Sequence, residues 1–235
     1  MTVQEIMEEL KAKGSEQIKN ILLKHGVREP FFGVRVGDMK PIQKKIKMDY
    51  QLAKDLYATG NADAMYLAGL IADDKKMTKE ELQLWVTQAI SSNIGEYTVP
   101  WVTAGSRFGW ELALEWIDDK EEHIVAAGWA TLSNLVALKP DDELDIPKLK
   151  ALLERVVREI PLATNRVRYQ MNGFIISVGA YVAALTAAAI EAAKEIGIIT
   201  VDMNGTSCKV PNATDYILKI KDKGAIGKKK KTVKC

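Results

Sequence analysis

Residues 124–138 read IVAAGWATLSNLVAL, fifteen consecutive positions without a charged side chain. A helix of that composition has no water-facing side, so neighbouring elements must cover it almost all round. On its C-terminal side, residues 146–160 return to amphipathic helical spacing. From 169 to 190 charge disappears again, interrupted by Asn172, Gly173, Ser177 and Gly179. That second apolar run approaches membrane-spanning length, but its alanine, glycine and central polar residues fit two core helices broken near 177–179 better than a span. On the N-terminal side, Ser106 opens a helix with Arg107, Glu111, Glu115 and Asp118 on its polar face. Phe108, Trp110, Leu112 and Trp116 occupy its other faces.

The same grammar continues towards the N-terminus. Residues 2–12 pattern as a helix, and Ser15 caps a second that reaches His25-Gly26. Asp38 is placed to cap a helix through Met48, with Met39, Ile42 and Ile46 as its apolar stripe. Residues 49–59 and 61–72 read as a pair joined at Gly60-Asn61, and Thr78 with Glu81 forms a capping box. Asn212 caps a last helix over 212–222. The one strand-like stretch is Ile198-Ile199-Thr200-Val201. Buried helices alternating with amphipathic ones across short connections describe an all-α fold of the α-solenoid kind.

Composition sets further bounds. The chain has 235 residues, 47% hydrophobic and 27% charged, with seven prolines and sixteen glycines. That is enough apolar material for one core and too little punctuation for long linkers, so residues 1–222 read as a single domain. Residues 223–235 read as a basic C-terminal tail. The segment 219–235 holds eight lysines against Asp222, a net +7; since the whole chain is +2, the remainder carries −5. Any nucleic-acid contact must therefore be a local patch, and a run such as Lys228–Lys231 is ordinarily a solvated tail. Cys208, Cys235, His25 and His123 form no ligand cluster, so neither a metal nor a disulfide framework is expected. The N-terminus is a polar amphipathic helix and not a signal peptide, which with the cysteine pattern favours the cytoplasm; a monomer without cofactors is expected.

Five stretches carry a resemblance. They are FGVRVGDMKPIQKK at 32–45, AMYLAGLIA at 64–72, EYTVPW at 96–101, GWELA at 109–113 and AGWAT at 127–131. Together they resemble a divergent branch of the DNA alkylation repair (AlkD-like) family of HEAT-like repeat proteins, over most of residues 1–195. The resemblance implies a curved stack of antiparallel helix pairs whose concave, basic groove cradles double-stranded DNA, alkylated or otherwise damaged. It also implies DNA glycosylase chemistry, hydrolysis of the N-glycosidic bond of cationic N3- or N7-alkylpurines by a Trp/Asp/Arg set.

That catalytic set is not matched residue by residue. The family's tryptophan falls near Glu96 or Tyr97, its aspartate near Pro100, and its arginine near residues 126–128. A later aromatic position matches Phe174. A replacement set is available in Glu96, with Tyr97 and Trp101 as aromatic walls: a carboxylate stabilises charge developing on the sugar, and π faces hold the cationic base. Against this stand the ordinary roles of a pre-helix carboxylate and a core tryptophan.

Phosphate contact asks less, only cations on one face. Lys40, Lys44 and Lys47 align at i, i+4 and i+7 after Arg35, and Arg107, Arg166 and Arg168 mark the starts of later helices. Arg166 and Arg168 have an alternative in the acids of 154–159. Trp110 and Trp129 are groove candidates among tryptophans whose default is the core. Three functions follow: a DNA-binding member of the family, with or without glycosylase activity; a non-catalytic binder of branched or damaged DNA; and a HEAT-type protein–protein scaffold.

Overall fold

The computed structural model describes residues 1–235. The fold is all-helical, with thirteen α-helices, and its packing divides into two compact units. The first comprises residues 1–108, 204–206 and 234–235; the second comprises 109–203 and 207–233.

In the first unit the helices are α1 (Val3–Lys13), α2 (Glu16–Lys24), α3 (Val36–Ile46), α4 (Tyr50–Tyr57), α5 (Ala62–Ile71), α6 (Lys79–Gln88) and α7 (Val99–Gly105). Helix α5 is the hub, with all ten residues buried, and α1, α3, α4 and α7 pack on it. Its start is set by Asn61, whose side chain accepts from the backbone N–H groups of Asp63 and Ala64. Such a cap contributes about 1 kcal/mol. The capping box at Thr78–Glu81 forms as read, and a second one, Thr2–Glu5, starts α1. Asp38 is not a cap: α3 begins earlier, with Arg35 at the N-cap, and Asp38 lies in its first turn, where a carboxylate suits the helix dipole.

In the second unit the helices are α8 (Gly109–Trp116), α9 (Glu122–Leu138), α10 (Ile146–Glu159), α11 (Asn165–Tyr181), α12 (Thr186–Ile196) and α13 (Ala213–Asp222). The charge-free stretch is α9, which buries eleven residues against α8 and α11. Gly128 permits the close approach to α8: a Cβ there would meet the Ile117 backbone nitrogen at 2.8 Å. Helix α10 buries Leu149, Leu152, Leu153 and Val156, the single stripe its spacing announces. The apolar run at 169–190 is two helices, but it breaks at Val182, where α11 and α12 bend by 114°. Ser177 and Gly179 lie inside α11. No single helix is long and apolar enough to cross a membrane. Residues 198–201 form no strand.

The lysine run departs from a solvated tail. Lys229 Nζ donates to the carbonyl of Val136 at 2.9 Å and lies 2.8 Å from Asp141 Oδ1. The Lys230 backbone N–H donates to Ala137, and its ammonium lies over the Tyr181 ring. The last carbonyls of α9 have no partner within the helix, and these lysines supply one. Within the first unit, Lys234 Nζ repeats the arrangement at the end of α5, donating to the Ala72 carbonyl at 3.0 Å and to Asp74 Oδ1 at 2.6 Å. Lys228 and Lys231 remain exposed.

Candidate nucleic-acid interface

Helix α3 turns Met39 and Ile42 into the core, 2% and 0% exposed, which fixes the rest of its surface outward. Lys40 and Lys44 project from that outer side, and Lys47 closes the helix at its C-cap with φ of 65°. Arg35, Lys40, Lys44 and Lys47 are all exposed, and none has an ion-pair partner. Lys45, the fifth cation of the segment, pairs with Glu9 at 3.5 Å. One carboxylate, Asp38, opposes five cations between residues 35 and 47. Cations held in water without partners can be given to phosphates at little desolvation cost. Arg107, also exposed, lies with its guanidinium 4.7 Å from the centre of the Phe108 ring.

Residues 96–101 straddle an irregular junction. Ile94–Thr98 forms a turn of π-helix running into α7. The wider turn adds a residue per turn and shifts the side chains that follow, an arrangement common at functional sites. Glu96 is buried, while Tyr97 is 46% exposed. Trp101 is buried, with its ring 6.0 Å from that of Tyr97 and 5.3 Å, edge-on, from that of Tyr66. Tyr97 and Trp101 are thus brought together as expected, and Tyr66 joins them. Burial raises the Tyr66 hydroxyl pKa, with Cys235 close by contributing. Pro100 sits in the first turn of α7, where it fits a helix and supplies no carboxylate.

In the second unit the cationic candidates end on protein. The Arg168 guanidinium donates to the carbonyls of Ile160, Pro161, Ala163 and Thr200. It engages the segment that follows α10, and Thr200, with four of its five N–H donors. The Arg166 guanidinium stacks 4.6 Å from the Tyr169 ring centre and lies 3.9 Å from Met203 Sδ, and its backbone N–H donates to Glu122. Of the acids of 154–159, Glu159 goes instead to Arg155, at 2.8 Å, and Arg155 also bonds Asp118, just past α8, at 2.7 Å.

The aromatic candidates divide. Trp110 is half-buried. Trp129 and Phe174 are both fully buried and pack on each other with ring centres 5.2 Å apart, so neither can serve as a groove wall. Their positions on the charge-free faces of α9 and α11 are the reason. No group of three or more His, Cys, Asp or Glu side chains converges to hold a metal ion.

Two acids that sequence reading passed over matter locally. Asp63, 2% exposed, accepts from the backbone N–H groups of Phe32, Gly33 and Val34. Asp74 is the partner of Lys234, and burial pushes its carboxyl up to about 6 while Lys234 opposes the shift. Neither has a local signal: each depends on a partner distant in sequence.

This helical architecture places the protein in the class of HEAT-like repeat folds. A solved structure described as "A new family of proteins related to the HEAT-like repeat DNA glycosylases with affinity for branched DNA structures" matches it with a TM-score of 0.91 and 37% identity, over 100% of both chains. Uncharacterized proteins of Listeria innocua and Listeria monocytogenes are 31% and 30% identical, each over 95% of this chain and 99% of their own length. The family described as DNA alkylation repair enzyme matches residues 6–214, and the chain belongs to it.

Proposed function

We propose that this protein binds branched or otherwise distorted DNA through the cations of α3 and its flanks, without needing to excise a base. The observation that carries this is the set of four exposed, unpartnered cations, Arg35, Lys40, Lys44 and Lys47, on a chain similar to a protein described as having affinity for branched DNA. Their role is phosphate positioning, which is independent of sequence and strongly salt-dependent. Arg107 is a further exposed cation of the same unit. The substitution of Pro100 for the family's aspartate position supports binding over catalysis, because a proline offers nothing to a developing positive charge. Binding to a four-way junction and to a linear duplex of equal length tests the proposal. It predicts tighter binding to the junction, weakening steeply with salt; no binding to either DNA at low salt would overturn it.

A glycosylase reading has one specific observation in its favour, the buried Glu96 beside the half-exposed Tyr97 and the Trp101 ring. There the carboxylate would stabilise the sugar cation and the rings would hold an N3- or N7-alkylpurine. Release of 3- or 7-alkylpurine from methylated DNA, abolished by Glu96→Gln, is its expected outcome. Junction binding with no base release in either protein selects the binding role alone.

A further inference from the structure

Asp63 lies in the first turn of α5, yet its carboxylate serves another segment. Its Oδ2 accepts from the N–H groups of Phe32 at 2.6 Å and Gly33 at 2.9 Å, and its Oδ1 from that of Val34 at 3.3 Å. The preceding residue joins the same clamp, since the Ala62 N–H donates to the Pro30 carbonyl at 2.9 Å. The segment is also held by the N-cap of α2. Ser15 N–H donates to the Gly33 carbonyl at 3.2 Å, and Gly33 has φ of 80°. A Cβ at Gly33 would lie 2.7 Å from Lys19 N and Ser15 O, so only glycine lets the chain pass here. Phe31 and Val34, 2% and 3% exposed, fasten the segment into the core.

The residue that follows the clamp is Arg35, the N-cap of α3, whose carbonyl accepts from Asp38 and Met39. Three consecutive N–H groups gathered on one carboxylate fix both the position and the direction of the chain as it enters α3. A buried carboxylate with three such donors has no slack, and charge-assisted hydrogen bonds are the strong ones. The long arginine side chain starts one residue away.

We propose that Asp63 is a positioning residue for DNA binding: by clamping residues 32–34 it sets where Arg35 and the first turn of α3 meet a phosphate. This rests on the DNA-binding role proposed above. It acts through the backbone, so Asp63 itself touches no DNA.

The test is a double-mutant cycle with Asp63→Asn and Arg35→Ala, read as affinity for a four-way junction and as the slope of log affinity against log salt. Asp63→Asn puts an N–H pair where a charged acceptor stood. With the variant folded by circular dichroism at the assay temperature, junction affinity should fall about 5- to 10-fold and the salt slope by about one, the loss of one phosphate contact. In the Arg35→Ala background the same substitution should cost less than about 2-fold, because the contact it positions is already gone. A purely structural Asp63 would lower the melting temperature and leave the slope unchanged, and that result overturns the proposal, as do effects that multiply independently. If Asp63→Asn does not fold, Asp63→Glu, which keeps the charge and displaces it by one methylene, is read in the same cycle with the same criteria. Wild-type protein that binds no junction would overturn the DNA-binding role itself, an outcome distinct from binding that is indifferent to Asp63.

Discussion

In the first unit, Arg35, Lys40, Lys44 and Lys47 end in water; in the second, the guanidinium groups of Arg155, Arg166 and Arg168 end on protein. The two sets look alike as sequence, cations near helix starts or on helix faces. What separates them is whether the side chain reaches an acceptor on its own chain. Lys40 stands mid-helix, where the carbonyls are engaged, while Lys44 and Lys47, in the last turn and at the C-cap of α3, bond neither its last carbonyls nor a carboxylate. Past the end of α10 the Arg168 guanidinium reaches the carbonyls of Pro161 and Ala163, and that of Ile160, which also accepts from the Ala163 N–H. Lys234 at the end of α5, in the same unit as the free lysines, behaves as Arg168 does. The division therefore does not follow the unit. A cation that finds acceptors on its own chain is structural, and one that finds none is available to a ligand.

The largest effect should come from reversing the available set. Lys40→Glu, Lys44→Glu and Lys47→Glu together should weaken junction binding on the order of 100-fold while the helical circular dichroism signal persists. Unchanged affinity would erase the contrast.

Asp74 sharpens the structural side. Its folded pKa, about 6, lies above its ordinary 3.8, so proton binding favours the folded state. The stability linked to this group is full below about pH 4 and is lost as pH rises through about 6. Asp74→Asn has no such loss. Relative to wild type it should gain on the order of 2–3 kcal/mol between pH 4 and pH 7, measured by denaturant unfolding. Parallel curves for the two proteins would mean that Asp74 is not held up by burial.

Arg168→Ala should cost about 2 kcal/mol of stability by leaving several carbonyls without their donor, and should leave junction affinity within about 2-fold. Loss of affinity with stability kept would place Arg168 among the ligand-facing cations. The smallest effect is that of Lys44→Ala alone, a drop of about one in the salt slope with a several-fold loss of affinity.

Much of the architecture was legible because burial leaves a mark on composition. The charge-free stretch of α9, the stripe of α10 and the caps at Thr78 and Asn212 all form as their residues suggest. Caps and periodicity are local, so sequence carries them. The start of α3 was missed because Asp38 suits a first turn as well as a cap. The break in 169–190 was placed too early because Ser177 and Gly179 are tolerated inside a well-covered helix. At the candidate site, exposure of the α3 cations followed from helical spacing. The withdrawal of Arg168, the burial of Trp129 and Phe174, and the clamp made by Asp63 depend on partners far away in the chain. Those are tertiary facts with no local signature. Arg155 was the exception: Glu159 stands four residues on, a spacing that favours the pair they form.

Under the proposed role, the cations without protein partners are the ones DNA uses. This is tested most directly by the salt dependence of four-way-junction affinity between about 50 and 200 mM, compared among wild type, Arg35→Ala/Lys40→Ala/Lys44→Ala/Lys47→Ala and Arg166→Ala/Arg168→Ala. The slope should fall by about three to four in the first variant and stay unchanged in the second. A wild-type slope in the first variant, or a comparable loss in the second, would contradict it.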